Sequence, residues 1–254
     1  MRTILASDRQ AMGQWVAERA AADLRAAIRD YGSANLVVAT GASQFEVLDS
    51  LVQQSDVDWS LVQGFHLDEY VGIDDTHPAS FCKYLRERFV QRVNLSAFHY
   101  LSGTADHAKT MAQVGDLISS TRIDVALVGI GENGHLAFND PPADFETTSP
   151  YLLVELDEPC RMQQVGEGWF GSLEEVPTHA MSMSVQQILK SAKIYCSVPD
   201  ERKANAVRDT LEGEIDPAVP ASILKTHSDT TLIIDRAAAA QLSEAVLAGL
   251  ETVQ

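Results

Sequence analysis

The sequence predicts an α/β fold: a mostly parallel sheet with helices on both faces, in a Rossmann-like three-layer architecture. Two observations carry that prediction. Short continuous apolar runs, such as 36–39 and 125–130, read as strands buried on both faces. These runs alternate with helical patterns along all 254 residues, with no repeat, linker or low-complexity tract between them. The chain is therefore expected to form one domain over 1–254.

The elements follow in order. Residues 8–28 set Met12, Trp15, Val16, Ala20, Leu24 and Ile28 near one face, as in an amphipathic helix. Residues 35–39 are a short buried strand, stopped by Thr40 and Gly41, and 45–52 return to helical spacing. A second strand covers 61–67 and enters a polar loop that ends at Pro78. From 78 to 90 the pattern is helical, with proline in the first turn, where its missing N–H costs nothing. A short strand at 98–101, a helix at 105–119 and a strongly apolar strand at 123–129 come next. Residues 129–144 read as loop, rich in Gly, Asn, Asp and Pro. Residues 151–156 read as strand, and 159–170 fit no single pattern. After Pro177 come a short strand, a helix at 185–191, a strand at 193–198 and a helix at 200–211. A loop at 213–222, a strand at 230–234 and an alanine-rich helix at 235–250 complete the chain.

Composition narrows the function. A formal charge of −17 argues against nucleic acid or an anionic membrane as partner. No apolar run reaches membrane-spanning length, and the first ten residues lack the apolar core of a signal peptide, so a cytoplasmic protein is expected. Cys82, Cys160 and Cys196 are odd in number and widely spaced, which speaks against a disulfide framework or a cysteine zinc site. Any phosphorylated ligand must find its positive potential locally, in a few cations and oriented backbone N–H groups.

In parallel sheets, ligands sit beyond the carboxyl ends of strands, and four polar clusters fall there. The first is Thr40-Gly41-Ala42-Ser43, small residues opening a helix, which reads either as an anion site or as a capping box between Ser43 and Glu46. It is not a P-loop, because no Gly-Lys-Ser/Thr follows. The second is Phe65-His66-Leu67-Asp68-Glu69-Tyr70: two adjacent carboxylates after a buried strand, either a solvated turn or a placed base at Asp68. The third runs from Gly129 to Pro142 and contains His135, whose imidazole suits proton transfer near neutrality, with Asp140 five residues on and Asn133 and Asn139 as hydrogen-bonding groups. Its Gly129, Gly131 and Gly134 imitate a dinucleotide fingerprint, but Phe-Asn-Asp-Pro-Pro replaces the helix that reading requires. The fourth includes Lys203 in the first turn of a helix, which the helix dipole disfavours unless an anion is met there; the alternative is a solvated surface lysine. His66, Asp68, His77, His135 and Asp140 lack metal-ligand spacing, and no Gly-x-Ser-x-Gly marks a serine nucleophile.

Taken together, TGAS (40–43), FHLDEYVGI (65–73), HPASF (77–81), GIGENGHLAFNDP (129–141), VPTHAMSM (176–183), DERKANAV (200–207) and VPASILKTH (219–227) resemble the glucosamine-6-phosphate deaminase (isomerase) family. The 6-phosphogluconolactonases and galactosamine-6-phosphate isomerases share its architecture. The resemblance implies an enolisation base at Asp68, a ring-opening histidine at His135 with Asp140 as its acidic partner, and Asn133 beside them. It further implies a phosphate site at Gly41, Ala42, Ser43 and Lys203, a lid near 157–176, and no metal or organic cofactor. The implied reaction turns D-glucosamine 6-phosphate and water into D-fructose 6-phosphate and ammonia.

The chain departs from the family pattern at four places. Asn133 stands where Asp is usual, Asp140 where Glu is usual, and Ser43-Gln44 where Thr-Pro is typical. Arg161 is the one cation within 160–170 to stand for the family's lid arginine. A lactonase using His135 to activate water, a galactosamine-6-phosphate deaminase, and a non-catalytic sugar-phosphate sensor are the alternatives. The sequence leaves the epimer and a homo-oligomeric assembly open.

Overall fold

A computed structural model describes residues 1–254. In chain order the elements are β1 (Arg2–Ala6), α1 (Arg9–Tyr31), β2 (Ala34–Val38), α2 (Phe45–Leu51), β3 (Val62–His66), β4 (Asp68–Tyr70), α3 (Phe81–Arg88), β5 (Ala97–His99), α4 (His107–Ser119) and β6 (Val125–Val128). Then follow β7 (Tyr151–Glu155), α5 (Glu158–Gly166), β8 (His179–Met183), α6 (Val185–Ile188), β9 (Lys193–Val198), α7 (Ala204–Glu212), β10 (Thr230–Ile234), α8 (Glu244–Ala248) and β11 (Glu251–Val253).

Eight strands form one parallel sheet in the order β11-β1-β10-β9-β6-β2-β3-β5. Its central strands are buried at every residue, as the unbroken apolar runs require: β2, β6 and β10 expose nothing. Alternate side chains of β2 serve opposite faces. Leu36 and Val38 pack with Met12, Val16, Leu24 and Leu48 of α1 and α2, whereas Val37 packs on the other face with Ile118, Val185 and Val207. Helix α1 is held at both ends. The Asp8 carboxylate accepts from the N–H of Ala11, and Gly32 closes the helix at φ 82°, its N–H donating to Ile28.

A second sheet, β4-β8-β7, is antiparallel and small. The chain leaves β3 at His66 and enters β4 at Asp68, so a single residue separates the two sheets. The expected polar loop after residue 67 is therefore strand at its start, with Asp68 opposite Ser182 and Tyr70 opposite Ala180. Tyr70 then packs against Phe81, Phe138 and Phe170 in a satellite core.

Other expectations need correction. Strands β1 and β11 lie in segments that carry no alternating or long apolar signal; they are fixed by parallel pairing of Ile4 with Ile233 and Glu251. The alanine-rich tail is not one helix: turns occupy 236–242 and only α8 is helical. The Asp235 carboxylate accepts the N–H of Ala238 and that of Asp200, which tethers the segment while Ala238, Ala239 and Leu242 are drawn into the core. Packing outweighs alanine's helix propensity there. The undecided stretch 159–170 opens within α5, which is started by Asp157, whose carboxylate accepts the N–H of Cys160. No helix is long and apolar enough to cross a membrane.

Candidate active site

The sheet reverses its direction of winding between β2 and β6, which pair as neighbours although β2 leads on to β3 and β6 to β9. Loops leaving these strands diverge at their carboxyl ends and open a crevice. A cleft lies there, lined by residues 39–43 after β2, 67–68 after β3, 129–131 and His135 after β6, and 198–200, 202 and 203 at the end of β9 and beyond it.

The loop after β2 turns through Gly41 at φ 89°, a conformation that a side chain would strain, and passes into a short 3₁₀ turn at Ala42–Gln44. No side chain caps that turn. Glu46 faces Arg9 at 3.2 Å instead, so the capping box between Ser43 and Glu46 does not form. Gly41, Ala42 and Ser43 all line the cleft.

Asp68 opens β4 and is 6% exposed. Its Oδ1 is buried with no hydrogen-bond partner. Burial, and then the neighbouring Glu69 charge, push the Asp68 carboxyl up to about 8. Glu69 is treated quite differently. Its oxygens accept the N–H groups of Tyr70, Phe81 and Cys82, at 2.9, 3.2 and 2.7 Å, and the Ser80 hydroxyl at 3.0 Å. Of two adjacent carboxylates, one anchors the start of α3 and the other is left free to face the cleft.

His135 also faces the cleft. The loop around it is tightly determined: Gly131 N–H donates to the His135 carbonyl at 3.0 Å, and a Cβ on Gly131 would lie 2.3 Å from the imidazole. Asn133 accepts the His135 N–H through Oδ1 and donates through Nδ2 to Asp140 at 3.1 Å. Asp140 Oδ1 in turn lies 2.9 Å from His135 Nδ1, a close contact off the axis of an aligned hydrogen bond. Burial pushes the Asp140 carboxyl up, but His135 and Asn133 together outweigh it and hold the group below its ordinary value. Asn133 and Asp140 thus stand behind the imidazole rather than in the cleft. Asn139 serves the frame, donating to the carbonyls of Leu136 and Met183.

Lys203 lines the cleft from a 3₁₀ turn at Glu201–Lys203 that precedes α7. The anion that offsets its place near a helix start is the carboxylate of Glu167, at 3.3 Å. Arg161 is a correction. Its guanidinium donates to the carbonyls of Leu173 and Val176, outside the cleft, and so ties α5 to the turn that follows it. Sequence reasoning missed Arg9, Arg202, Gln163, Gln164 and Glu167, which all line the cleft. Arg202, beside Lys203, could have been found; Arg9 lies far away in the chain with no motif around it. As for metals, the donor atoms of His135, Asp140 and Cys160 lie within 4.8 Å of one another. Burial and the neighbouring Asp140 push the Cys160 thiol up, away from the thiolate a soft metal needs.

The family model described as glucosamine-6-phosphate isomerases/6-phosphogluconolactonase matches residues 7–233. A glucosamine-6-phosphate deaminase of Clostridium acetobutylicum is 39% identical over 214 residues, spanning 82% of this chain and 87% of that protein. One from Bacillus pumilus is 33% identical over 245 residues, spanning 94% and 98%. Among solved structures, a monomeric glucosamine-6-phosphate deaminase superposes with a TM-score of 0.86 at 31% identity, covering 95% of this chain and all of the other. A 6-phosphogluconolactonase from Shewanella baltica shares the fold, with a TM-score of 0.75 at 22% identity over 92% of this chain and 97% of its own.

Proposed function

The chain belongs to the glucosamine-6-phosphate isomerase/6-phosphogluconolactonase family, and from that premise we propose that it converts D-glucosamine 6-phosphate and water into D-fructose 6-phosphate and ammonia. One observation carries the reading furthest: Asp68, buried with an unpartnered carboxylate oxygen, shares a cleft with His135. A carboxyl raised to about 8 by burial is a base matched to neutral conditions.

The phosphate docks on the N–H groups of Gly41–Ser43 and on Lys203, by charge-assisted hydrogen bonds. His135, oriented by Asp140 and Asn133, takes the proton of the anomeric hydroxyl and delivers it to the ring oxygen, which opens the sugar. Asp68 removes the proton from C2, giving an enolamine across C1 and C2, and then returns the proton to C1, which makes C2 an imine. Water adds there, ammonia leaves, and the C2 carbonyl of fructose 6-phosphate remains. Helix α5 and the turn behind it, near 157–176, act as the lid; Gln163, Gln164 and Glu167 on this segment already face the cleft. The three cysteines are unpaired and buried, which supports a reducing, cytoplasmic setting.

The test compares substrates. Ammonia release is measured with glucosamine 6-phosphate and galactosamine 6-phosphate, and acid release with 6-phosphogluconolactone. The expected result is ammonia from glucosamine 6-phosphate and negligible lactone hydrolysis. Lactone hydrolysis without ammonia would favour the lactonase, ammonia from the galactosamine ester alone would reassign the epimer, and binding without turnover would indicate a sensor.

A further inference from the structure

The cation end of the cleft is already neutralised from within. Lys203 Nζ lies 3.3 Å from Oε1 of Glu167 and 3.9 Å from Oε1 of Glu132. The Lys203 and Glu167 side chains are only 9% and 8% exposed. Glu167 is held by the lid as well: Gln163 Nε2 donates to its Oε1 at 2.8 Å and Trp169 Nε1 to its Oε2 at 3.2 Å. It occupies the C-cap of α5, where the helix dipole disfavours a carboxylate, so the ammonium of Lys203 is what makes the position tenable.

We propose that Glu167 is an internal stand-in for the substrate's phosphate, holding Lys203 in the free protein and displaced by the phosphate dianion when substrate binds. This rests on the reading of Lys203 as a phosphate ligand. A buried ammonium stripped of any partner is costly, and two anions cannot share one ammonium at full strength, so binding becomes an exchange of anions. A dianion competes successfully with one carboxylate, whereas an unphosphorylated hexosamine brings no anion to the exchange. Glu167 is in this sense a specificity-determining residue. Its release also takes the acceptor from Gln163 Nε2 and Trp169 Nε1, and so couples the phosphate contact to the lid. Trp169 lies against Phe45 and Tyr84, with ring centroids 6.3 and 6.2 Å away, and its emission therefore reports the exchange.

The experiment titrates inorganic phosphate into the wild-type protein, followed by calorimetry and by tryptophan emission, and repeats the titration on Glu167→Gln. The expected result has three parts. Emission changes in step with phosphate occupancy in the wild type, and the change is lost in Trp169→Phe. Glu167→Gln binds phosphate roughly tenfold more tightly, the loss of one competing charge-assisted bond. Its KM for glucosamine 6-phosphate falls by a similar factor. Phosphate binding that leaves Trp169 emission unmoved would overturn the exchange even if the Gln variant fails to fold. Binding that is unchanged or weaker in Glu167→Gln would make Glu167 a positioning residue for Lys203 instead. If phosphate binds neither protein, the phosphate reading of Lys203 falls along with it.

Discussion

In the proposed reaction Asp68 carries the chemistry, and its burial also bears on stability. With its carboxyl raised to about 8, the basic form is a minority at neutral pH. Ammonia release, as kcat/KM, is expected to climb with pH and level off above about 8; a pH–rate profile already flat from pH 6 would contradict that. The same shift predicts a stability effect. The unfolded chain ionises this carboxyl at its ordinary value while the folded protein retains the proton, so folding stability falls as pH rises between roughly 4 and 8. Asp68→Asn removes that penalty. It should raise the unfolding free energy by on the order of a few kcal/mol at pH 8 and hardly at all at pH 4, measured by urea unfolding at both pH values. That Asp68 and His135 would reach one cleft was legible in the sequence, because both lie in segments that follow buried strands; the roles given to them came from the family resemblance. Arg161 was misread because its charge was visible but its direction was not; two backbone carbonyls of the following turn claim it. Glu167 escaped notice because a lone glutamate in a polar stretch looks like surface until Lys203 is placed against it.

At the level of elements, the start of α3 shows how one residue builds the frame for its neighbour. Glu69 lies on β4 but accepts from three backbone N–H groups and a hydroxyl, and two of those N–H groups belong to the first turn of α3. An anion is favoured at a helix N-terminus, and here it fastens β4 in the position from which Asp68 faces the cleft. Glu69→Gln leaves one acceptor oxygen and turns an amide toward buried donors. It is expected to cost about 2–3 kcal/mol of stability, read from chemical denaturation, and to lower turnover by misplacing Asp68. A variant as stable as the wild type would contradict the anchoring role. Elements with their own periodicity, such as α1 and the central strands, were legible because burial on a fixed face leaves a pattern. Strand β4 was not, since its Asp-Glu-Tyr text is polar and only pairing with β8 makes it strand. The tail at 236–242 failed for the opposite reason: local propensity was strong, and the tether at Asp235 overrode it.

Across the whole molecule, an acidic protein of net charge −17 gathers Arg9, Arg202 and Lys203 around one cleft. Each is matched by a carboxylate, Glu46, Asp200 and Glu167 respectively, so the site is poised rather than strongly positive. The parallel sheet explains how residues distant in the chain meet: every chemical cluster follows a strand, and all the strands deliver their carboxyl ends to the same edge. That much could be inferred from alternating elements alone; the order of strands, and with it the position of the crevice between β2 and β6, could not. In the proposed reaction Asp68 performs the proton transfer in that crevice. Its most direct measurement is ammonia release from glucosamine 6-phosphate by Asp68→Asn, with kcat and KM determined separately. A loss of ~10²–10⁴-fold in kcat with KM changed only a few-fold is the predicted result. Near wild-type turnover in that variant would contradict it.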